Sequence, residues 1–208
     1  MDPSTTALVL IGYQNDYFAN DGVLHSVVED STEDVLSNTL TLLKALEPTD
    51  VLIITTPIIF TPDYSELTEP VGILKLIKEV GAFKADTMGA QTIPEIHKFG
   101  ERIVEVPGKR GLNAFADTNL DSILKNRGII DVVFAGAVTS ICIDSTGRAA
   151  FERNYRVTQL SDCTSSRTSV EQTFYCNNVF PLYASVTDSK GLLRQLGVGD
   201  QDNAKQCA

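Results

Sequence analysis

The stretch Ile129-Ile130-Asp131-Val132-Val133-Phe134-Ala135-Gly136-Ala137-Val138-Thr139-Ser140-Ile141-Cys142 decides the fold. Its first half is a short apolar run rich in β-branched residues, the composition of a strand buried on both faces of a parallel sheet. From Ile143 the chain reads IDSTGRAAFERN, a helix-like pattern. Cys142 stands at the junction, where the positive end of a helix dipole favours a thiolate over a thiol. The competing reading is a small buried hydrophobe, because free cysteine is among the most buried residue types.

Working outward, the same alternation recurs. Ala7–Ile11, Val51–Thr55, Arg102–Val106, Ile130–Ala135, Tyr155–Leu160 and Ala184–Thr187 are candidate strands, the third weaker and nearer an edge in character. Between them, Glu33–Leu46 sets Leu36, Leu40, Leu43 and Leu46 on one helical face, widened by Val35 and Leu42. Thr118 is a candidate N-cap for a helix that turns Ile123 and Leu124 inward. Thr168-Ser169-Val170-Glu171 has capping-box spacing and starts another helix toward Phe180, which Pro181 ends. The order β-α-β-β-α-β-α-β-α-β predicts an α/β fold, a three-layer αβα arrangement with a mostly parallel central sheet. No repeat or linker divides the chain, so one domain over residues 1–208 is expected.

From Thr56 to about Ile93 the rhythm breaks. Pro57, Pro62, Pro70, Gly72, Gly81 and Gly89 predict an irregular functional loop or lid there. Ligands of open α/β sheets bind beyond the carboxyl ends of the strands. Gly12, Thr55-Thr56 and the Gly136–Cys142 segment should therefore meet.

Composition narrows the function classes. Hydrophobic residues make up 43% of 208, enough for a sizeable core. The net charge of −10, from 17 basic and 27 acidic residues, argues against a nucleic-acid partner, which needs clustered Lys and Arg. Cys142, Cys163, Cys176 and Cys207 form no C-x-x-C pair, so neither a zinc ribbon nor a dithiol motif is expected. No signal-like N-terminus and no apolar run of membrane-spanning length is present, and a reducing cytoplasmic setting is the expectation.

A cysteine hydrolase needs a thiolate, an acid/base group within reach, and donors for a developing oxyanion. His25 and His97 are the two histidines, one in a loop-like stretch and one in a polar surface-like stretch; neither is flanked as a triad base or metal ligand would be. Lysine is the other option. Lys109 lies between Gly108 and Gly111 in EVPGKRGLNAF, where it is either a surface loop residue or a group brought close to a site.

Three segments then carry a resemblance. Gly136 to Thr146, GAVTSICIDST, resembles the cysteine signature of the isochorismatase-like hydrolase superfamily, and the likeness continues through Arg148 to Tyr155. Lys109 followed by Asn113-Ala114-Phe115 resembles that family's lysine segment, and Ala7 to Phe18, ALVLIGYQNDYF, its first strand and turn. Asp162-Cys163 resembles the start of its loop after strand five. The resemblance implies a Rossmann-like αβα fold and an Asp, Lys, Cys catalytic group, with Cys142 as nucleophile and Lys109 beside it. It also implies a cis peptide just before Val138, with the Val138 and Cys142 N–H groups forming an oxyanion hole, and a homo-oligomer, dimer or tetramer.

Two departures qualify that implication. The family's Asp ends strand one, two residues before the Gln; Gln14 is present here, but position 12 is Gly12. The general base is missing, and Asp16 in the following turn is a poor substitute. Gly12 is then either the mark of a naturally impaired member or an Asp→Gly change that traps bound substrate. In addition, Thr55 to Asp63 holds no His, so no metal and no cofactor is expected, which argues against a nicotinamidase. The resemblance implies a small amide, imide or ureide as substrate, hydrolysed through an acyl-enzyme on Cys142, with turnover impaired at position 12. Tyr13, Gln14, Tyr17, Phe18, Ile59, Phe115 and Thr139, with Ser140, are the expected substrate contacts. The alternatives are a catalytically inactive binding or effector protein on the same scaffold and a lyase or isomerase using Lys109 as a Schiff base.

Overall fold

Side chains on successive residues of a strand point to opposite faces, and in this chain both faces are apolar. Leu8 and Leu10 enter one core with Ile53, Val133 and Leu160, while Ala7, Val9 and Ile11 enter the other with Ile54, Val132 and Phe134. A sheet buried on both sides follows. In the computed structural model, which describes residues 1–28 and 32–198, its strands are β1 (Thr6–Ile11), β2 (Leu52–Thr56), β3 (Ile103–Glu105), β4 (Asp131–Ala137), β5 (Arg156–Ser165) and β6 (Ser185–Thr187). Their order is β3-β2-β1-β4-β5-β6, and every pairing is parallel rather than most of them. The chain winds outward from β1 to β3, then returns to pair β4 on the other side of β1. That reversal opens a crevice beyond the carboxyl ends of β1 and β4.

The helices are α1 (Asn15–Phe18), α2 (Thr32–Leu46), α3 (Gly72–Val80), α4 (Pro94–His97), α5 (Leu120–Asn126), α6 (Asp144–Glu152), α7 (Ser169–Phe174) and α8 (Ser189–Gln195). Helices α2 and α8 pack against each other and against β5. The buried face of α2 centres on Val35, Thr39, Leu42, Leu43 and Leu46; Leu36 and Leu40 lie at its margin, half-buried. Thr39 is part of that face because its hydroxyl bonds the Tyr13 hydroxyl at 2.6 Å. No helix among the described residues is long and apolar enough to cross a membrane.

Three expectations are corrected. The Thr56–Ile93 stretch is not wholly irregular: α3 forms within it, ended by Gly81 in the left-handed conformation. Ile73 and Ile77 turn inward at helical spacing, a period that the surrounding prolines and glycines mask in the sequence. Second, β5 runs to Ser165, so Asp162 and Cys163 are strand residues rather than loop. A carboxylate is tolerated there because Asp162 caps α8, accepting from the Ser189 N–H at 2.8 Å and its hydroxyl at 2.6 Å. Third, α6 begins at Asp144, and Cys142 sits in a five-residue π-helical turn, Thr139–Ile143, between β4 and that helix. Cys207 lies outside the described residues.

Candidate active site

β1 ends at Ile11, and Gly12 follows with φ +74°. An L residue adopts that conformation at a cost, and a Cβ built there would lie 2.8 Å from the Ala137 carbonyl oxygen and 3.5 Å from Cδ2 of Tyr17. Across the crevice the Ala137–Val138 peptide is cis, and the π turn that follows presents Cys142, 6% exposed. The loop after β3 supplies Lys109. Its backbone bridges to Ile58 in parallel fashion, and its carbonyl accepts from the Ile59 N–H at 3.3 Å. Pinned in this way, Lys109 is 1% exposed.

The Lys109 Nζ lies 3.6 Å from the Cys142 Sγ. That sulfur is its one hydrogen-bond partner among the described residues. A buried cation without a counter-charge is costly, and a thiolate supplies the counter-charge. Burial pushes the other two described thiols up, Cys163 well above the ordinary thiol range and Cys176 to about 11.

These groups line a cavity of about 10 Å³, roughly the space of a single water. Gly12, Tyr17, Lys109, Ala137 and Cys142 form its polar side. Ile58, Ile73, Ile77, Leu112 and Ile141 close it, the isoleucines at 73 and 77 coming from α3. Gly12 and the Gly136–Cys142 segment meet here as expected; Thr55 and Thr56 do not line the cavity, and Ile58 supplies the wall after β2 instead.

Of the expected substrate contacts, Tyr17 lines the cavity and the others lie elsewhere. Tyr13 is core: its hydroxyl reaches Thr39 and the Cys163 carbonyl, 3.3 Å away. Phe18 stacks on Tyr13 at 4.8 Å and borders a separate surface cleft. Gln14 is a structural clamp, its amide donating to the Ile58 and Ala90 carbonyls at 2.9 and 2.6 Å and accepting from the Ile58 N–H at 2.9 Å. Phe115 stacks on Tyr155 in the opposite core, with the Arg153 guanidinium 4.9 Å over its ring. Ile59 faces a different cleft, because its neighbour Ile58 takes the inward position. Thr139 donates to the Gln172 side-chain oxygen at 2.7 Å, and Ser140 is half-buried outside the cavity wall. The helical spacing of Ile73 and Ile77 is the sequence signal for the walls contributed by α3.

Asp16 does not reach the thiol as a replacement base. Its Oδ2 accepts from the Phe83 N–H at 2.6 Å, and both oxygens occupy the place a Cβ at Gly89 would take. Burial raises its carboxyl above the ordinary range, opposed by bonds from the Phe83 and Val23 backbone. His25 is engaged with the Tyr17 carbonyl at 2.9 Å, and His97 borders two surface clefts away from Cys142. Among the described residues, no group of three or more His, Cys, Asp or Glu is placed to hold a metal ion.

A family model described as the isochorismatase domain matches residues 6–191. Three solved structures resemble the chain. A cysteine hydrolase from Pseudomonas syringae pv. phaseolicola is 21% identical, with 95% of this chain and 94% of that one covered and a TM-score of 0.84. An isochorismatase family protein from Burkholderia thailandensis is 28% identical, over 93% and 96%, with a TM-score of 0.72. N-carbamoylsarcosine amidase from Thermoplasma acidophilum is 22% identical, over 91% and 97%, with a TM-score of 0.71. The first and third likenesses are likenesses of fold.

Proposed function

The chain belongs to the isochorismatase family, and on that premise we propose that it is a cysteine-dependent hydrolase of a small amide, imide or ureide C–N bond, slowed by Gly12. The observation that carries this reading is the buried ammonium of Lys109, 3.6 Å from the Cys142 sulfur. In the proposed reaction the Cys142 thiolate attacks the carbonyl carbon. The oxygen gains negative charge and meets the Val138 and Cys142 N–H groups. The C–N bond then breaks, the nitrogen takes a proton from the Lys109 ammonium, and the amine leaves. An acyl group remains on sulfur as a thioester, with Lys109 neutral.

Water must then attack the thioester and lose a proton. Among the described residues no carboxylate lines the cavity, and the Lys109 amine, left as the proton acceptor, is held against the sulfur. Deacylation is therefore the slow step, and acyl-enzyme accumulates. When water does add, its proton goes to Lys109, the acid departs and the thiolate–ammonium pair is restored. Because the closed cavity holds about one water, substrate enters by displacing Ile73 and Ile77 of α3. Family likeness supports assembly with further copies of the chain.

Replacement of Gly12 by Asp tests the reading. It should raise turnover of responsive amides by about 10²–10⁴-fold, the usual worth of a general base. The backbone at φ +74° and the contact with the Ala137 oxygen should at the same time lower stability by about 1–2 kcal/mol. No gain on any amide of a broad panel, together with no Cys142 acylation in the unaltered chain, would sink it. The missing carboxylate also favours a second reading, a binding or effector protein on the same scaffold. That reading predicts unchanged cellular function after Cys142→Ser, whereas a hydrolase loses it.

A further inference from the structure

Tyr17 is the lining residue whose chemistry the reaction above leaves unused. It is 3% exposed and packs its ring at 58° against Phe83, 5.0 Å between centroids. Its ring also borders the space over Gly12. Burial, and after it the neighbouring Cys142 and Asp16, hold the phenol above the ordinary tyrosine range, so the hydroxyl stays protonated. Among the described residues that hydroxyl has no hydrogen-bond partner, unlike the buried Tyr13 and Tyr64 hydroxyls, which reach Thr39 and the Ala82 carbonyl.

The Tyr17 oxygen is unpaired without being fully sealed from solvent, so it is open to a ligand that enters the cavity. The other polar side chains of the cavity are Lys109 and Cys142. An ammonium donates and cannot accept, and the sulfur is committed to the carbonyl carbon. An N–H on the scissile nitrogen therefore finds one side-chain acceptor in this cavity, the Tyr17 oxygen. The remaining side chains are aliphatic and satisfy no polar group.

We propose that the Tyr17 hydroxyl accepts the N–H of the scissile amide, so that this site selects substrates with hydrogen on that nitrogen over esters and over fully substituted amides. The inference rests on the cysteine-hydrolase reading and deepens it. An ester presents an oxygen where the amide presents an N–H, and an N-methyl amide presents a methyl group. Neither completes the phenol. Loss of one such bond in a desolvated site amounts to about tenfold or somewhat more in rate.

The test measures acylation, since chromophore is released in that step and slow deacylation does not obscure it. Acetyl p-nitroanilide, its N-methyl analogue and p-nitrophenyl acetate are mixed with excess full-length protein, and Cys142→Ala supplies the background. The expected result is that Tyr17→Phe slows the anilide about tenfold or more, with the ester and the N-methyl anilide changed less than about twofold. The ester arm also reports that the variant remains folded and that its thiolate is intact. Equal loss on all three compounds, or no loss on any, overturns the selectivity role while the nucleophile assignment stands. Absence of Cys142-dependent release from all three in the unaltered chain overturns the hydrolase reading and this inference together.

Discussion

Two π-helical turns in this molecule each bury a cysteine, and the two thiols have different fates. Thr139–Ile143 holds Cys142, 6% exposed, and Tyr175–Val179 holds Cys176, 9% exposed. The partner of the first sulfur is the Lys109 ammonium at 3.6 Å; the partner of the second is the neutral Gln172 amide at 3.5 Å. Burial alone disfavours a thiolate and makes a thiol inert. Burial beside an unpaired cation does the reverse. On the proposed reading the lysine delivered by the loop after β3, rather than the backbone turn or the degree of exposure, makes the nucleophile.

The largest expected effect is the contrast itself. A thiol titrating at about 11 is thiolate in roughly one molecule in three thousand at pH 7.5. Iodoacetamide should then modify Cys142 at least about a hundred times faster than Cys176, as peptide mass mapping over time would show. The Cys176 rate should climb about tenfold per pH unit and level off near pH 11. Comparable rates at pH 7.5 would remove the distinction. Next in size, Lys109→Met should slow Cys142 by about ten- to a hundredfold and leave Cys176 unchanged.

The converse substitution sharpens the comparison. Gln172→Lys brings an ammonium to the second turn and should speed Cys176 alkylation about tenfold. It also removes bonds from the Gln172 amide to the Ser161 carbonyl and the Thr164 hydroxyl, both 3.0 Å, at a stability cost of about 1–2 kcal/mol by denaturant titration. An unchanged Cys176 rate would mean that access, not charge, separates the two turns.

The smallest effect concerns Asp16, the carboxylate in the turn after Gly12. Asp16 has its folded value raised by burial. Its contribution to stability is therefore complete below the unfolded value of 3.8 and is lost as pH rises through the folded one. Asn at position 16 keeps an acceptor for the Phe83 N–H and has no charge to desolvate. Asp16→Asn should match the unaltered chain at pH 3 and exceed it by up to about 1 kcal/mol at pH 7. Higher stability of the Asp form at pH 7 would mean that the carboxylate has a counter-charge.

What could be read in the sequence divides along similar physical lines. Continuous apolar runs identify β1, β2 and β4 because strands buried on both faces leave no other pattern. The meeting of Gly12 and Cys142 follows from strand ends in a wound sheet, whereas Lys109 joins them only on the family resemblance. Individual pocket contacts were less legible. Tyr13, Phe18 and Phe115 are large and lie next to site motifs, yet Tyr13 and Phe115 are drawn into core by partners distant in sequence, Thr39 and Tyr155, and Phe18 stacks on Tyr13. Ile58 and Ile59 differ by one residue, and that parity depends on the bridge to Lys109, which no local pattern records. Helix α3 was hidden because prolines and glycines flank it rather than interrupt it.

The central claim is that Lys109 makes Cys142 an acyl-accepting nucleophile. Its most direct test is the whole-protein mass, with peptide mapping, after brief exposure to acetyl p-nitroanilide. The account predicts one acetyl group, on Cys142, that persists long enough to be mapped and does not form in Lys109→Met over the same interval. An unmodified Cys142, acetyl on Cys176 or a lysine instead, or equal acylation in Lys109→Met would contradict it.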